Sequence, residues 1–325
     1  MSCTVTVECN PAGSGASQRS ALINGGCQVA QRDAATLSGT FQFGEVDRWA
    51  CRADGTPTNG SITQSKTAPI GRTGFSLHVA DVTTGSGGTV QARYRMESAD
   101  ARAFKNQTAV FSALVQHDVG SAIDYTITLN RATAEDDFSS VTQVATTMVN
   151  VPDATGTAIS LSADMGDSSN GIEIIVEATP GAVTTKNFHF TEMQFEFGST
   201  ATSFDYRKVA EVFEECLRYA YVIRPGAFPG RVSLGQAGLT TVAQMRLDFP
   251  SAMRVGPAFS ISALADFQLG DAFSVGLPVT NIAALVAYNT GISFNVTVAS
   301  GLVAGDAVQW IAQNATASMT LDAEL

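Results

Sequence analysis

The chain reads as an all-β protein: a jelly-roll β-sandwich, one connecting α-helix and a second, smaller β-sandwich. Three features predict this. Apolar and polar side chains alternate in short runs, Gly/Thr/Ser-rich turns separate the runs, and one stretch alone carries helical spacing. At 325 residues the chain suits two cores better than one, since single cores stop growing near roughly 250–300 residues. The expected division is an N-terminal arm over 1–32, a jelly roll over 33–206, a helix over 207–224 and a β-sandwich over 225–325.

Residues 1–26 are rich in Gly and Ser, with one strand-like run at Thr4–Glu8, and are expected to order against a partner. From Phe41 the strand signals are dense. "IDYTITLN" puts Ile123, Tyr125, Ile127 and Leu129 on one face and Asp124, Thr126, Thr128 and Asn130 on the other. "GIEIIVEA" is a further strand. "NFHFTEMQFEFG" carries apolar residues on both faces, which predicts a strand covered on both sides. "TTGSGG", "GDSSNG" and "TPGAV" supply turns, the first expected as a hairpin loop. Val209, Val212, Cys216, Tyr219 and Ile223 recur at steps of three and four. Asp205 is placed to cap this helix and Pro225-Gly226 to stop it. Val209, Val212, Phe213, Cys216 and Tyr219 are therefore predicted to meet either the preceding sandwich or the same helix of another subunit. Beyond Gly226 strands resume. In "GISFNVTVAS", Ile292, Phe294, Val296 and Val298 alternate with Ser293, Asn295, Thr297 and Ala299.

Lys and Arg total 19 against 30 Asp and Glu, a net charge of −11. That argues against nucleic acid and anionic membranes, whose phosphates need clustered cations, but not against sugars. No basic segment followed by an apolar run opens the sequence, and no stretch is long and apolar enough for a membrane helix. Folding in a bacterial cytoplasm is the expectation. Cys3, Cys9, Cys27, Cys51 and Cys216 lack zinc-site spacing; Cys3 and Cys9 pair, or all five are free thiols.

An enzyme is not expected. His78, His117 and His189 are scattered over predicted strands without a motif partner, and no nucleophile elbow, P-loop or His-Glu-x-x-His occurs. Glu135, Asp136 and Asp137 stand in a row, a spacing typical of solvated loop charge rather than of a glycosidase pair. Asp164, Asp167 and Asn170 surround a turn, as Asx turns do, and their hard oxygens also suit Ca²⁺. No other cofactor is indicated. A sugar site needs an aromatic platform beside amides or charges. Tyr288 with Asn289 at a turn, and Gln91, Arg93 and Arg95 on one strand face, are the candidates. Trp49 and Trp310 read as core.

Three separated stretches share landmarks. The first is "ALINGGCQVAQR" followed by "DRW"; the second is "MQFEFGSTATSFDYRKVAEVFEECLRYAY"; the third pairs "FPSAMRVGPAFSIS" with the terminal "LDAEL". Together they resemble the tail-fibre and virion attachment proteins of tailed phages, also found in phage-like gene transfer agents. The resemblance implies a carbohydrate-binding-module-like jelly roll, for which a structural calcium is allowed, in a head or tail spike. It implies a homo-oligomer, a trimer by default and a pentamer at a capsid vertex. Residues 1–26 would contact other virion proteins, and the exposed surface would bind host polysaccharide. With only about two dozen residues ahead of the Asn-Gly-Gly turn, a short tip or spike subunit is expected rather than a whole fibre. The rival expectations are a structural adaptor holding another receptor-binding subunit, and a capsule depolymerase.

Overall fold

The computed structural model describes residues 19–226, 230–270 and 275–325, so Thr4–Glu8, Cys3 and Cys9 lie outside the described residues. The chain is all-β apart from short helical turns. The first body holds β1 (Ala35–Thr36), β2 (Gln42–Phe43), β3 (Ala50–Asp54), β4 (Asn59–Ser65), β5 (Ser76–Thr84) and β6 (Thr89–Met96). A helical turn, α1 (Ser98–Ala101), leads to β7 (Thr108–His117), β8 (Ile123–Ala134), β9 (Asp137–Val151), β10 (Thr157–Asp164), β11 (Ile172–Thr179) and β12 (Val183–Phe197). One six-stranded sheet runs β1-β4-β5-β12-β7-β10 and the other β2-β3-β6-β11-β8-β9. "TTGSGG", "GDSSNG" and "TPGAV" each join strands of opposite sheets. They are arches across the sandwich, and "TTGSGG" is not the hairpin its glycines suggested.

Alternation sets the core. Ile123, Tyr125, Ile127 and Leu129 of β8 and Ile172, Ile174, Val176 and Ala178 of β11 point inward, with Trp49 fully enclosed between the sheets. In β12, Phe188, Phe190, Met193 and Phe195 are all buried although their parity changes. The β12–β7 register shifts between Thr191 and Gln194, and Glu192 there takes φ of +49°. Thr191, Gln194 and Glu196 are buried as well, so this stretch of β12 is covered on both sides as expected, and the bulge carries the inward apolar positions from Phe188 and Phe190 to Met193 and Phe195.

Residues 19–32, expected in the arm, are built into this body. Ala21 N–H donates to the Phe195 carbonyl at 2.8 Å, and Leu22 and Cys27 join the core. Gly25 lies flat on β12, where a Cβ would sit 1.8 Å from the Met193 carbonyl oxygen. Asn24 donates to the Val29 and Asp47 carbonyls at 2.8 and 3.0 Å, which locks the Asn-Gly-Gly turn.

The helix is shorter than its spacing predicted. α2 covers Val209–Cys216, and after a tight turn β13 (Ala220–Ile223) runs as a strand. Tyr221, Val222 and Ile223 are strand formers, and an antiparallel partner is waiting in Met319–Asp322, so sheet pairing overrides the helical period. The second body then contains β14 (Arg231–Ala237), β15 (Val242–Asp248), β16 (Ala258–Ile261), β17 (Phe267–Gly270), β18 (Val275–Tyr288), β19 (Gly291–Val298), β20 (Ala307–Ala312) and β21 (Met319–Asp322). β14-β15-β19-β18-β17-β20 close into a barrel around Trp310, Phe267 and Phe294, and β13-β21-β16 form a small sheet beside it.

Candidate functional site

The three landmark stretches converge between the two bodies. Arg32, buried, donates to Asp47 at 3.1 Å, Asp322 at 3.3 Å and Glu324 at 3.2 Å. Arg48, also buried, pairs with Glu324 and lies 3.5 Å from the Tyr219 ring centroid and 4.9 Å from that of Tyr94. Gln31 bridges Asp47 at 2.7 Å and the Ala220 carbonyl at 2.9 Å. Arg218 grips Glu97 at 2.8 and 3.0 Å, and Tyr219 Oη donates to the same carboxylate at 2.9 Å. Burial alone would raise the Glu97 carboxyl, but these hydrogen bonds outweigh it and hold the group below the usual carboxylate range. Arg254 ties the Ala323 and Glu324 carbonyls at 2.8 and 2.9 Å. Val212, Cys216 and Tyr219 pack on Ile23 and Val29, whereas Val209 and Phe213 remain 47% and 39% exposed. Two of the five predicted interface side chains thus face solvent.

The predicted sugar-reading face lies on the outside of the β2-to-β9 sheet, and its groups hold one another. Arg52 donates to Gln91 at 2.8 Å, and Gln91 donates to Glu177. Arg95 donates to Glu173 at 2.9 Å, and Asn130 does so at 3.1 Å. Arg93 covers the Phe41 ring at 3.8 Å and Arg95 the Phe138 ring at 4.8 Å. Tyr288, 59% exposed, and Asn289 sit at the β18–β19 turn in the other body, so the structure does not bring the two candidate sets together.

The opposite sheet, β1-to-β10, carries a groove that residue-by-residue reading missed. His78 of β5 faces His189 of β12, with ring centroids 4.2 Å apart and planes 8° from parallel. Ser76 Oγ lies 3.0 Å from His189 Nδ1, and the Asn187 side-chain oxygen is 3.1 Å from His78 Nε2. Asn187 is fixed by Asp118, donating to it at 2.7 Å from both backbone and side chain. Burial and then the His78 charge hold the His189 imidazole down to about 4, so it is neutral at physiological pH. His78, His189, Asn187 and Asp118, with Gln116 and Pro69, line a recess of about 370 Å³. A neighbouring recess of about 390 Å³ is lined by Arg72, Ser112, Leu114, Ser160, Glu192 and Thr202. Gln116 Oε1 is shielded from solvent without a hydrogen-bond partner, a state that is costly unless a donor arrives. The two histidines are 111 residues apart in sequence, and only the β5–β12 register joins them.

The other predicted ligands have local partners. Asp167 pairs with Lys105 at 2.8 Å and accepts from Ser169, while Asn170 donates to the Thr133 carbonyl at 3.0 Å. Asp164 accepts from Gly166 N–H at 3.3 Å. Among the described residues no group of three His, Cys, Asp or Glu is placed to hold a metal ion. Glu135 binds Arg102 at 2.5 Å, Asp136 accepts from Ser98 N–H at 2.6 Å, and Asp137 accepts from Ser139 N–H at 2.9 Å. His117 is buried, with Nε2 3.1 Å from the Val151 carbonyl. Cys27, Cys51 and Cys216 are free and buried, and burial raises all three thiols.

No protein-family profile matches the chain, and no curated protein does. Solved structures with a similar fold include the CBM22-1 xylan-binding domain of Xyn10C from Paenibacillus barcinonensis, at 16% identity and TM-score 0.33, covering 51% of this chain and 100% of that one. TmCBM61 in complex with β-1,4-galactotriose is similar at 6% identity and TM-score 0.33, covering 56% and 100%. The C-terminal family 22 carbohydrate-binding module of Clostridium thermocellum Xyn10B is similar at 18% identity and TM-score 0.31, covering 48% and 89%. At TM-scores this low the likeness says nothing about what this chain binds.

Proposed function

We propose that the chain is a non-enzymatic attachment subunit of a phage-like particle, holding host surface glycan through its jelly roll. The observation that carries the glycan part is the groove on the β1-to-β10 sheet. Its lining combines imidazole, carboxamide and hydroxyl groups that both donate and accept, as sugar hydroxyls require, with Arg72, Asp118 and Glu192 as its charged members. The −11 charge leaves neutral polysaccharide as a better partner than phosphate polymers. The attachment part is supported by the landmark stretches, whose residues build one junction rather than three unrelated turns. Weak single sites would serve adhesion when several copies act together.

The test is binding of purified protein to host cells with and without capsule, for wild type and for Gln116→Ala and His189→Ala. Binding should depend on capsule and fall at least about tenfold in both variants, the equivalent of about 1.4 kcal/mol. Capsule-independent binding, or variants that bind like wild type, would sink the glycan reading. Mass spectrometry of purified particles checks the attachment part. An adaptor role is favoured by one observation: Leu285, Val286 and Tyr288 of β18 are exposed, and residues 275–305 carry no charged side chain. Capture of another particle protein by a chain that ignores capsule would select that reading.

A further inference from the structure

A cleft of about 600 Å³ lies away from both sheet faces, between the jelly roll and α2. Its floor is an aromatic stack. Past the β12 bulge, Phe197 is turned outward and rests on Phe104, with centroids 4.4 Å apart and planes 17° from parallel. Phe104 in turn lies 4.7 Å from Phe195 in the core. Gly198 N–H donates to the Thr108 carbonyl at 2.9 Å and fixes the end of the strand. The Phe197 ring is thus rigidly supported yet 56% exposed.

Charged groups surround it in near balance. Arg218 is held by Glu97, and Glu215 is held by Arg207 at 2.6 Å. Arg19 spends two of its donors on Thr202 Oγ1 and the Ser203 carbonyl, at 3.3 and 3.2 Å, and keeps others. The Asp100 carboxylate at the rim makes no hydrogen bond or ion pair to another described residue, and burial followed by Glu97 raises its pKa. Such a site favours a ligand with a flat C–H face and a rim of hydroxyls that donate to a carboxylate and accept from a guanidinium. A pyranose ring has that shape and chemistry.

We propose that this cleft is a second sugar subsite for neutral hexose oligosaccharides, with a ring stacked on Phe197 and its hydroxyls shared between Asp100 and Arg19. The proposal rests on the glycan reading for its ligand class, but it uses none of the groove residues. The probes are maltohexaose, cellohexaose and mannohexaose, followed by saturation-transfer NMR with irradiation of the protein's aromatic protons. Wild type should transfer saturation to the ring C–H protons of at least one probe. Phe197→Ala should remove that transfer and weaken affinity about tenfold or more. Phe197→Tyr should keep it, Asp100→Asn should weaken binding several-fold, and unchanged melting curves would confirm folding. Transfer that survives Phe197→Ala but not Gln116→Ala would overturn the cleft and leave the groove. The reverse result would leave the cleft and remove the groove. A wild type that takes none of the three probes overturns the proposal.

Discussion

Arg48 takes φ of +74°, a left-handed backbone that residues other than glycine seldom adopt. The junction over-determines it: Glu324 on one side, the Arg95 carbonyl at 2.6 Å on another, and two tyrosine rings against the guanidinium. A contrasting residue is His189, whose surroundings disfavour its charge. Unfolded, its imidazole titrates at its ordinary 6.5; folded, it titrates near 4. Between those values the unfolded chain binds more protons, so stability present above pH 6.5 is lost as pH falls towards 4. The loss from this residue amounts to about 3 kcal/mol. His189→Gln should flatten the fall in stability over that window by a comparable amount, read from urea unfolding at a series of pH values. Parallel pH curves for the two proteins would refute the assignment.

α2 shows what an element gains from its neighbours. Its apolar stripe is broad, yet the structure uses one side: Val212 and Cys216, with Tyr219 from the turn that follows, pack against Ile23 and Val29. Tyr219→Ala should cost about 3–5 kcal/mol, removing a buried ring, the Arg48 contact and a hydrogen bond to Glu97. Phe213→Ala should cost under about 1 kcal/mol, since that ring is already 39% exposed. Equal losses in chemical denaturation would mean that Phe213 is buried in a contact made by another subunit. The strands of α2's surroundings were legible in sequence wherever alternation was unbroken, as in β8 and β19. Legibility failed where long-range pairing decided the outcome. Tyr221–Ile223 became a strand because β21 was available, and the parity of β12 changed because β7 fixed its register. The groove was invisible for the same reason, since His78 and His189 become neighbours only through the sheet.

At the scale of the whole molecule, the landmark motifs were recognisable before their purpose was. Spacing could place Asp-Arg-Trp and the terminal Leu-Asp-Ala-Glu-Leu on the chain, but not show that Arg32 and Arg48 meet Glu324 across nearly the full length of the sequence. This network couples two otherwise separate cores, one around Trp49 and one around Trp310. Because Glu324 is buried and shared by two buried arginines, its loss leaves cations without adequate compensation, a situation that typically costs about 3–5 kcal/mol. Wild type should therefore unfold in a single calorimetric transition. Glu324→Gln should lower the stability of the junction enough to separate two transitions, with the barrel and the jelly roll melting apart. Asp248→Asn is the control: its pair with Arg246 is exposed on both sides, so its removal should cost under about 1 kcal/mol and leave one transition. Two transitions in wild type would show that the bodies are energetically independent despite their contact. A Glu324→Gln protein that melts as wild type does would show that the buried ion pairs orient the bodies without coupling their stability.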